Sequence, residues 1–484
     1  MPKIRKSLLG LFVGVLFNSP LTFADTSGYG LPDLGTAAAS TLTIDREREY
    51  GDAFVRILRA QQPIVTDPLL NHYVNDLGSR LVGSANDVKT PFTFMLIQKN
   101  DINAFAFFGG HIALHTGLFR YAQTESELAS VMAHEIAHQT QRHLARAMED
   151  QARRTPLTIA ATVGSVLLAI AAPEAGIAAA HATAAATVQS KINYTRDNEK
   201  EADRIGISIL SRAGFDTRAM PTFFTRLADQ YRYASTPPEF LLTHPLPDSR
   251  VSDTRARAQN YPTKSVSVSE NYQLARARVI ARYTESKAAL DWFNRKLKVA
   301  PKSLKAPLQF GKALLSIDEG KFKEAKVLLL PLYQSEPANL FYLDAMTDLD
   351  LAQGQTSSAI SRLRKALDVN PENGVLKLNL AYALNKAGQF EDAISLLQHY
   401  THLAPDNIIA FTMLQEAFEK NGNRHGALAA QAETFALQAR WDDAINNYSL
   451  ASELVPLGSL DQARYDARID QLRTKQLRFN QLRN

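Results

Sequence analysis

The apolar and polar positions along the chain fall into four regions. The first 24 residues carry Lys3, Arg5 and Lys6, then an apolar run from Leu8 to Phe17, then Pro20 and a small-residue exit at Ala24. This three-part pattern predicts a cleaved secretory signal, because the run is too short to span a bilayer, which needs about 20 residues. Residues 25–40 are polar and rich in Gly, Ala and Ser, a loose lead-in. From Ile44 to about Gln259, helical patterns surround a short strand region. Phe92–Gln98 is a β-type run ended by the turn residues Lys99-Asn100-Asp101. Asn103–Phe107 and His111–His115 flank Gly109-Gly110 and read as a hairpin. Thr155–Pro173 and Ala175–Ser190 hold no charge, and Glu174 separates them. Their Thr, Gly, Ser and Ala content predicts a buried or membrane-grazing helical hairpin, and a spanning helix is the alternative.

The second half repeats. Gly320, Gly354, Gly388 and Gly422 stand 34 residues apart, and Ala325, Ala359, Ala393 and Ala427 keep the same period. Pro337, Pro371 and Pro405 keep it too. Gly takes the turn between paired helices, Ala lets them approach, and Pro ends the unit. This is the tetratricopeptide pattern. Leu380, Tyr382 and Phe390 are assigned the apolar positions of the clearest repeat. Ala439–Ala444 resembles the turn and second helix again, half a period early. A partial unit is expected near Ala289–Pro301. Residues 457–484, with Leu460, Ile469, Leu472 and Leu477, suit a capping helix. The boundary between the halves falls near residues 255–275.

Composition narrows the chemistry. The 484 residues include no cysteine, which excludes disulfides, thiolate metal sites, iron–sulfur clusters and a cysteine nucleophile. Any transition-metal site must use His, Asp and Glu. The net charge of +5 falls to +2 once Lys3, Arg5 and Lys6 leave with the signal. A balance so small and scattered gives no case for nucleic acid.

His134-Glu135-Ile136-Ala137-His138 is an HExxH motif. Positions i and i+4 share a helix face, so two imidazoles can meet one zinc ion. Glu135, a quarter-turn round, can reach a water held by that metal, take its proton and pass it to the leaving amine. Thr124 and Glu127 form a capping box at the helix start, and Leu128, Val131, Met132 and Ile136 give an apolar frame. His143 lies nine residues after His134, one short of the metzincin spacing, and reads as a second-shell or surface residue. The third ligand is sought in Glu199-Lys200-Glu201-Ala202-Asp203. Glu199 and Asp203 share a face there, so Glu199 can ligate while Asp203 orients an imidazole. Glu201 points elsewhere on that reading. The plainer alternative is an ordinary charged helix.

His134-Glu135-x-x-His138 with Glu199-x-x-Ala202-Asp203 resembles the HtpX/CAAX-prenyl-protease type of zinc metalloprotease. Asn103-Ala104-Phe105-Ala106, Gly109-Gly110-His111-Ile112 and Thr116-Gly117-Leu118 match as well, over about residues 45–255. The resemblance implies one Zn2+ per chain held by His134, His138 and Glu199, with Glu135 as catalytic base. Asp203 matches a residue often assigned as proton donor, although orienting a ligand suits it better physically. His244-Pro245-Leu246-Pro247-Asp248-Ser249-Arg250 resembles the family's HP…R segment. Two roles are open to His244: a fourth ligand that keeps the enzyme latent, or a donor to the oxyanion. A third reading makes it a loop histidine held by Asp248.

The expected fold class is mostly α. A gluzincin-like metalloprotease domain with a small β-hairpin or sheet occupies 25–265, after a signal at 1–24. An α-solenoid of tetratricopeptide repeats with a capping helix follows over 266–484. The hairpin offers an edge to which an extended peptide could add. By resemblance, the chain is a periplasmic zinc metalloendopeptidase. Its clients would be misfolded outer-membrane proteins, its partner the barrel-assembly machinery reached through the repeats, with peripheral membrane contact through 155–190. The rival is a repeat-based binding or chaperone module with a latent or structural zinc site.

Overall fold

Local signals start the helices. A computed structural model of the chain describes residues 42–154, 196–232, 238–264 and 266–483. The expected signal peptide and the 155–190 hairpin lie outside the described residues. Helix α1 (Ile44–Gln61) begins where the Thr43 side chain accepts from the Arg46 N–H. Helix α2 (Pro68–Val82) has Pro at its first position, where no N–H is needed, and Asp67 accepts from Leu69 N and Leu70 N.

Three strands follow. Strand β1 (Thr93–Ile97), β2 (Ala104–Phe107) and β3 (His111–His115) form one sheet in the order β1-β3-β2. The hairpin read from Gly109-Gly110 is β2–β3, with Phe105 opposite Ala113. Both glycines have positive φ, and a Cβ on Gly110 would stand 2.2 Å from the Pro91 carbonyl oxygen. The run at 92–98 becomes β1, paired in parallel with β3. Asn75 covers part of β1's outer edge, its amide bonding both Phe94 O and Phe94 N.

After the short α3 (Gly117–Tyr121), helix α4 (Glu125–Thr140) runs through the interior, and Ser126 to His138 are all buried. Thr124 accepts from the Glu127 N–H as a capping box requires. The Glu127 carboxylate, however, reaches one residue further back, to Gln123 N at 2.6 Å, because Arg226 also draws it. Leu128, Val131, Met132 and Ile136 are buried as their spacing predicts. Helix α5 (His143–Arg154) follows a break at Arg142, where φ is +53°. Helix α6 (Arg196–Arg212) lies against α4. A Cβ on Gly206 would come 3.3 Å from the backbone of Ala133 and His134, so this glycine lets the two helices close. Helices α7 (Ala219–Tyr231), α8 (Glu239–Thr243) and α9 (Asp248–Gln259) pack around them. Among the described residues, no helix is long and apolar enough to cross a membrane.

Helix α10 (Glu270–Arg282) joins this body to the repeats. Its Arg278 is buried between Asp67 Oδ2 (2.6 Å) and Asp344 Oδ2 (2.5 Å), and Asn379 Nδ2 donates to the other Asp344 oxygen. The 34-residue period is visible as antiparallel helix pairs such as Leu340–Ala352 with Thr356–Val369, and Gly374–Lys386 with Phe390–Leu403. Gly320, Gly354, Gly388 and Gly422 all turn with φ between 72° and 76°. Ala325, Ala359 and Ala393 are fully buried. Asn339, Asn373 and Asn407 cap the first helix of successive pairs, a fourth use of the same period. Leu380 is buried and Phe390 half-buried, but Tyr382 is exposed, beneath the Lys386 ammonium at 5.2 Å. The tetratricopeptide register holds there, but Tyr382 is exposed where its position predicts core.

The expected partial unit appears as the helix Ser286–Val299. Ala439 takes positive φ and the helix Trp441–Glu453 follows, half a period early. The terminal helix Leu460–Arg483 buries Ile469 and Leu472 but leaves Leu460 and Leu477 exposed. Those two buried residues share a core with Phe54 and Leu58 of α1, and Arg56 donates to Ala436 O while stacking on Trp441. The end of the array therefore returns to the first helix of the protease half.

Candidate metal centre

Helix α4 supplies His134, Glu135 and His138, α6 supplies Glu199 and Asp203, and the loop after α8 supplies His244. Ligand atoms of His134, His138, Glu199 and His244 all lie within 4.8 Å of one another, and all four residues are buried. The separations suit a common ion. His134 Nε2 is 3.4 Å from Glu199 Oε2 and 3.4 Å from His244 Nδ1; His138 Nε2 is 3.3 Å from Glu199 Oε1. A tetrahedral ion with ligands at about 2.1 Å spaces neighbouring donors by roughly 3.4 Å. The donor set of imidazoles and one carboxylate suits a borderline transition-metal ion. The Glu135 carboxylate is buried; the Ala106 N–H of β2 acts on it, and His244 Nε2 stands 3.5 Å from one of its oxygens. A buried carboxylate that no side chain hydrogen-bonds keeps lone pairs available to a bound group.

A second layer holds the donors. Asp203 Oδ1 lies 3.0 Å from His134 Nδ1, leaving Nε2 to face the centre. Arg250 of α9 bridges the two acids of α6. Its Nε and Nη2 donate to Asp203 at 2.7 and 2.8 Å, and its Nη1 donates to Glu199 at 2.6 Å. Its guanidinium also lies over the Phe224 ring. The HP…R segment thus contributes at both ends, His244 at the donors and Arg250 behind them. Sequence reasoning gave Arg250 no role, and the final Arg of that segment was the available signal. His143 is not a donor to the common point. Its Nδ1 is 2.8 Å from His138 Nδ1, and its Nε2 is 3.0 Å from Glu201 Oε2. Glu201 therefore does not point away from the site, because the break before α5 brings His143 round to meet it.

The electrostatics follow from burial and these pairs. Burial disfavours the His134 imidazolium, but Asp203 and Glu199 outweigh it and push its pKa up to about 10. Burial holds His138 well below the usual histidine range. Burial alone would raise Glu199, yet the facing His244, His134 and His138 hold it well below the carboxylate range. Asp203 is lowered against its burial, chiefly by Arg250. Glu135 is raised by burial, the direction a general base needs. In this arrangement a cation at the centre competes with a proton on His134.

Residues 68–258 match Peptidase family M48, and residues 350–417 match a tetratricopeptide repeat. The chain is 58% identical to the putative beta-barrel assembly-enhancing protease of Vibrio cholerae, over 93% of each chain. It is 49% identical to the beta-barrel assembly-enhancing protease of Escherichia coli K12, over 99% of this chain and 98% of that one. A mitochondrial metalloendopeptidase OMA1 of Schizosaccharomyces pombe is 27% identical over 42% of this chain and 55% of its own length. With a buried donor cluster on an HExxH helix, a repeat array behind it and relatives of this length and identity, the chain belongs to the β-barrel assembly-enhancing proteases, metalloproteases of peptidase family M48 that carry tetratricopeptide repeats.

Proposed function

We propose that the chain is a zinc endopeptidase of the periplasm that degrades misfolded or stalled outer-membrane β-barrel proteins and assists their assembly through its repeats. The observation that carries this reading is the convergence of His134, His138, Glu199 and His244 beside the open carboxylate of Glu135. The relatives' printed names support the client class, and the signal-like first 24 residues support export.

His134, His138 and Glu199 would hold one zinc ion. When bound, zinc supplies Lewis acidity that brings the pKa of water near neutrality and polarises the scissile carbonyl. Glu135 takes the proton of the attacking water and delivers it to the leaving amine. Asp203 keeps the His134 ring in place rather than giving up a proton, since it already accepts from Arg250. Strand β2 lies at an edge of the sheet and packs on α4, so an extended client chain can add to it and lie across the motif helix. The repeats, taken as a separate client-selecting domain from about residue 266, present further surface to partners of the assembly machinery.

His244 fills the fourth corner of the donor set and acts as a plug. Its Nδ1 sits 3.0 Å from Glu199 and its Nε2 faces Glu135, where it covers both the open position and the base. His244→Ala is expected to raise cleavage of an unfolded protein several-fold. A fall would instead assign it to oxyanion stabilisation, and no change would remove both roles. The function itself is tested by metal removal. Dialysis of the purified chain against a chelator should abolish cleavage of an unfolded substrate, and one equivalent of zinc should restore it. Cleavage that survives chelation would sink the reading. Zinc binding without cleavage, even in His244→Ala, would favour the binding-module alternative.

A further inference from the structure

We propose that His143 is a positioning residue for the metal centre, acting with Glu201 to fix the ring of His138. This rests on the reading of the centre as a metal site. His138 and His143 are five apart, and on one continuous helix such residues point about 140° away from each other. The chain does not continue as one helix. Arg142 adopts φ +53° between α4 and α5, a conformation a non-glycine residue takes only under constraint. The constraint is visible. Arg142 is buried, its Nε and Nη2 donate to Glu47 Oε1 of α1 at 2.8 and 2.6 Å, and its Nη2 also donates to Leu42 O. This latch turns α5 so that the His143 ring, itself fully buried, meets His138 across 2.8 Å between their Nδ1 atoms.

The hydrogen bonds then run in one direction. An ionised carboxylate only accepts, so Glu201 Oε2 takes the proton on His143 Nε2, at 3.0 Å. A neutral His143 with its proton on Nε2 has a lone pair on Nδ1. That lone pair accepts the proton of His138 Nδ1, which leaves the His138 Nε2 lone pair facing Glu199 and His134 across the centre. Arg146 Nη1, at 3.0 Å from the same Glu201 oxygen, keeps the carboxylate in position. His134 receives the equivalent support directly from Asp203. The two imidazole donors are thus oriented by separate carboxylates, one in contact and one through an intervening ring. Orientation of this kind typically changes metal affinity 10- to 100-fold.

The test uses the full chain, stripped of metal, with zinc affinity measured by competition against a chromophoric chelator. Apo-protein Tm and the visible absorption of the Co(II)-loaded protein are recorded beside it. His143→Ala and Glu201→Ala are each expected to weaken zinc 10- to 100-fold and to alter the Co(II) spectrum. The apo Tm of Glu201→Ala should fall only slightly, because Glu201 is partly exposed although it accepts from His143 and Arg146, and the affinity loss should exceed what that fall explains. His143→Gln, which keeps an acceptor toward His138, should recover most of the affinity. Affinity within twofold of wild type in both alanine variants would overturn the proposal while leaving the metal site intact. So would an affinity loss that merely tracks a fall in apo Tm. Failure of the wild-type chain to bind zinc would instead overturn the reading of the centre itself.

Discussion

Glu135→Gln is expected to cut cleavage of an unfolded protein by roughly 10² to 10⁴ while zinc content stays at one ion per chain. That range is what a positioned general base contributes. The change keeps the shape of the side chain and removes its basicity. Glu135 is fully buried, and no side chain hydrogen-bonds its carboxylate; glutamine keeps an oxygen that can accept from the Ala106 N–H beside it, so the fold should be little disturbed. The raised carboxyl pKa that burial imposes also sets the pH response. Activity of the wild type should fall as pH drops through that raised value, because a protonated Glu135 cannot accept from water. The same acid limb should appear from His134, which must lose its proton to bind the metal. Measuring zinc occupancy across the pH series separates the two, since only the histidine limb is accompanied by loss of metal. A metal-loaded Glu135→Gln protein that cleaves within threefold of wild type would remove Glu135 from the chemistry.

The parts of this arrangement that could be read along the chain are those set by local spacing. His134 and His138, or Glu199 and Asp203, are i,i+4 pairs whose shared face follows from helix geometry alone. The 34-residue spacing of Gly and Ala has the same character, as does the hairpin around Gly109-Gly110. Those spacings do not say which faces meet. Gly206 brings α6 onto α4 at His134, and nothing local to Gly206 announces that partner. Arg250 lies about 50 residues beyond the acids it clamps, so its role depends wholly on how α9 returns to α6. Glu201 lies off the face that Glu199 and Asp203 share, which reads as pointing elsewhere; one left-handed residue, Arg142, brings His143 round to meet it. The parallel pairing of β1 with β3 is likewise not announced by the alternation within either strand. Tyr382 shows the converse error. An aromatic at a repeat position suggests core, whereas its helix leaves Tyr382 exposed beside Lys386.

Arg278→Met is expected to lower global stability by about 3 to 5 kcal/mol, the usual cost of leaving buried charges without their partner. Arg278 is buried between Asp67 and Asp344. Asp67 also caps α2, so its carboxylate serves the protease half and the joint at once. Methionine fills much of the same volume, so lost packing accounts for little of the expected change. The pH dependence distinguishes a charge effect from a cavity. Burial pushes the Asp344 pKa up to about 6, against the pull of Arg278, while an unfolded Asp titrates near 3.9. Between those values the native state binds more protons than the unfolded one, so this group's contribution to stability falls as pH rises from about 4 to 6. Removing Arg278 takes away the lowering influence, and the Asp344 carboxyl then titrates higher still. The deficit of Arg278→Met should therefore be largest at pH 7.5 and shrink by pH 5, as read from urea unfolding at the two pH values. A second change, Asp344→Asn, should recover part of the loss at pH 7.5, because it removes one of the stranded charges. A deficit that is the same at both pH values and indifferent to Asp344→Asn would mean that shape, not charge, holds the repeats to the protease at this joint.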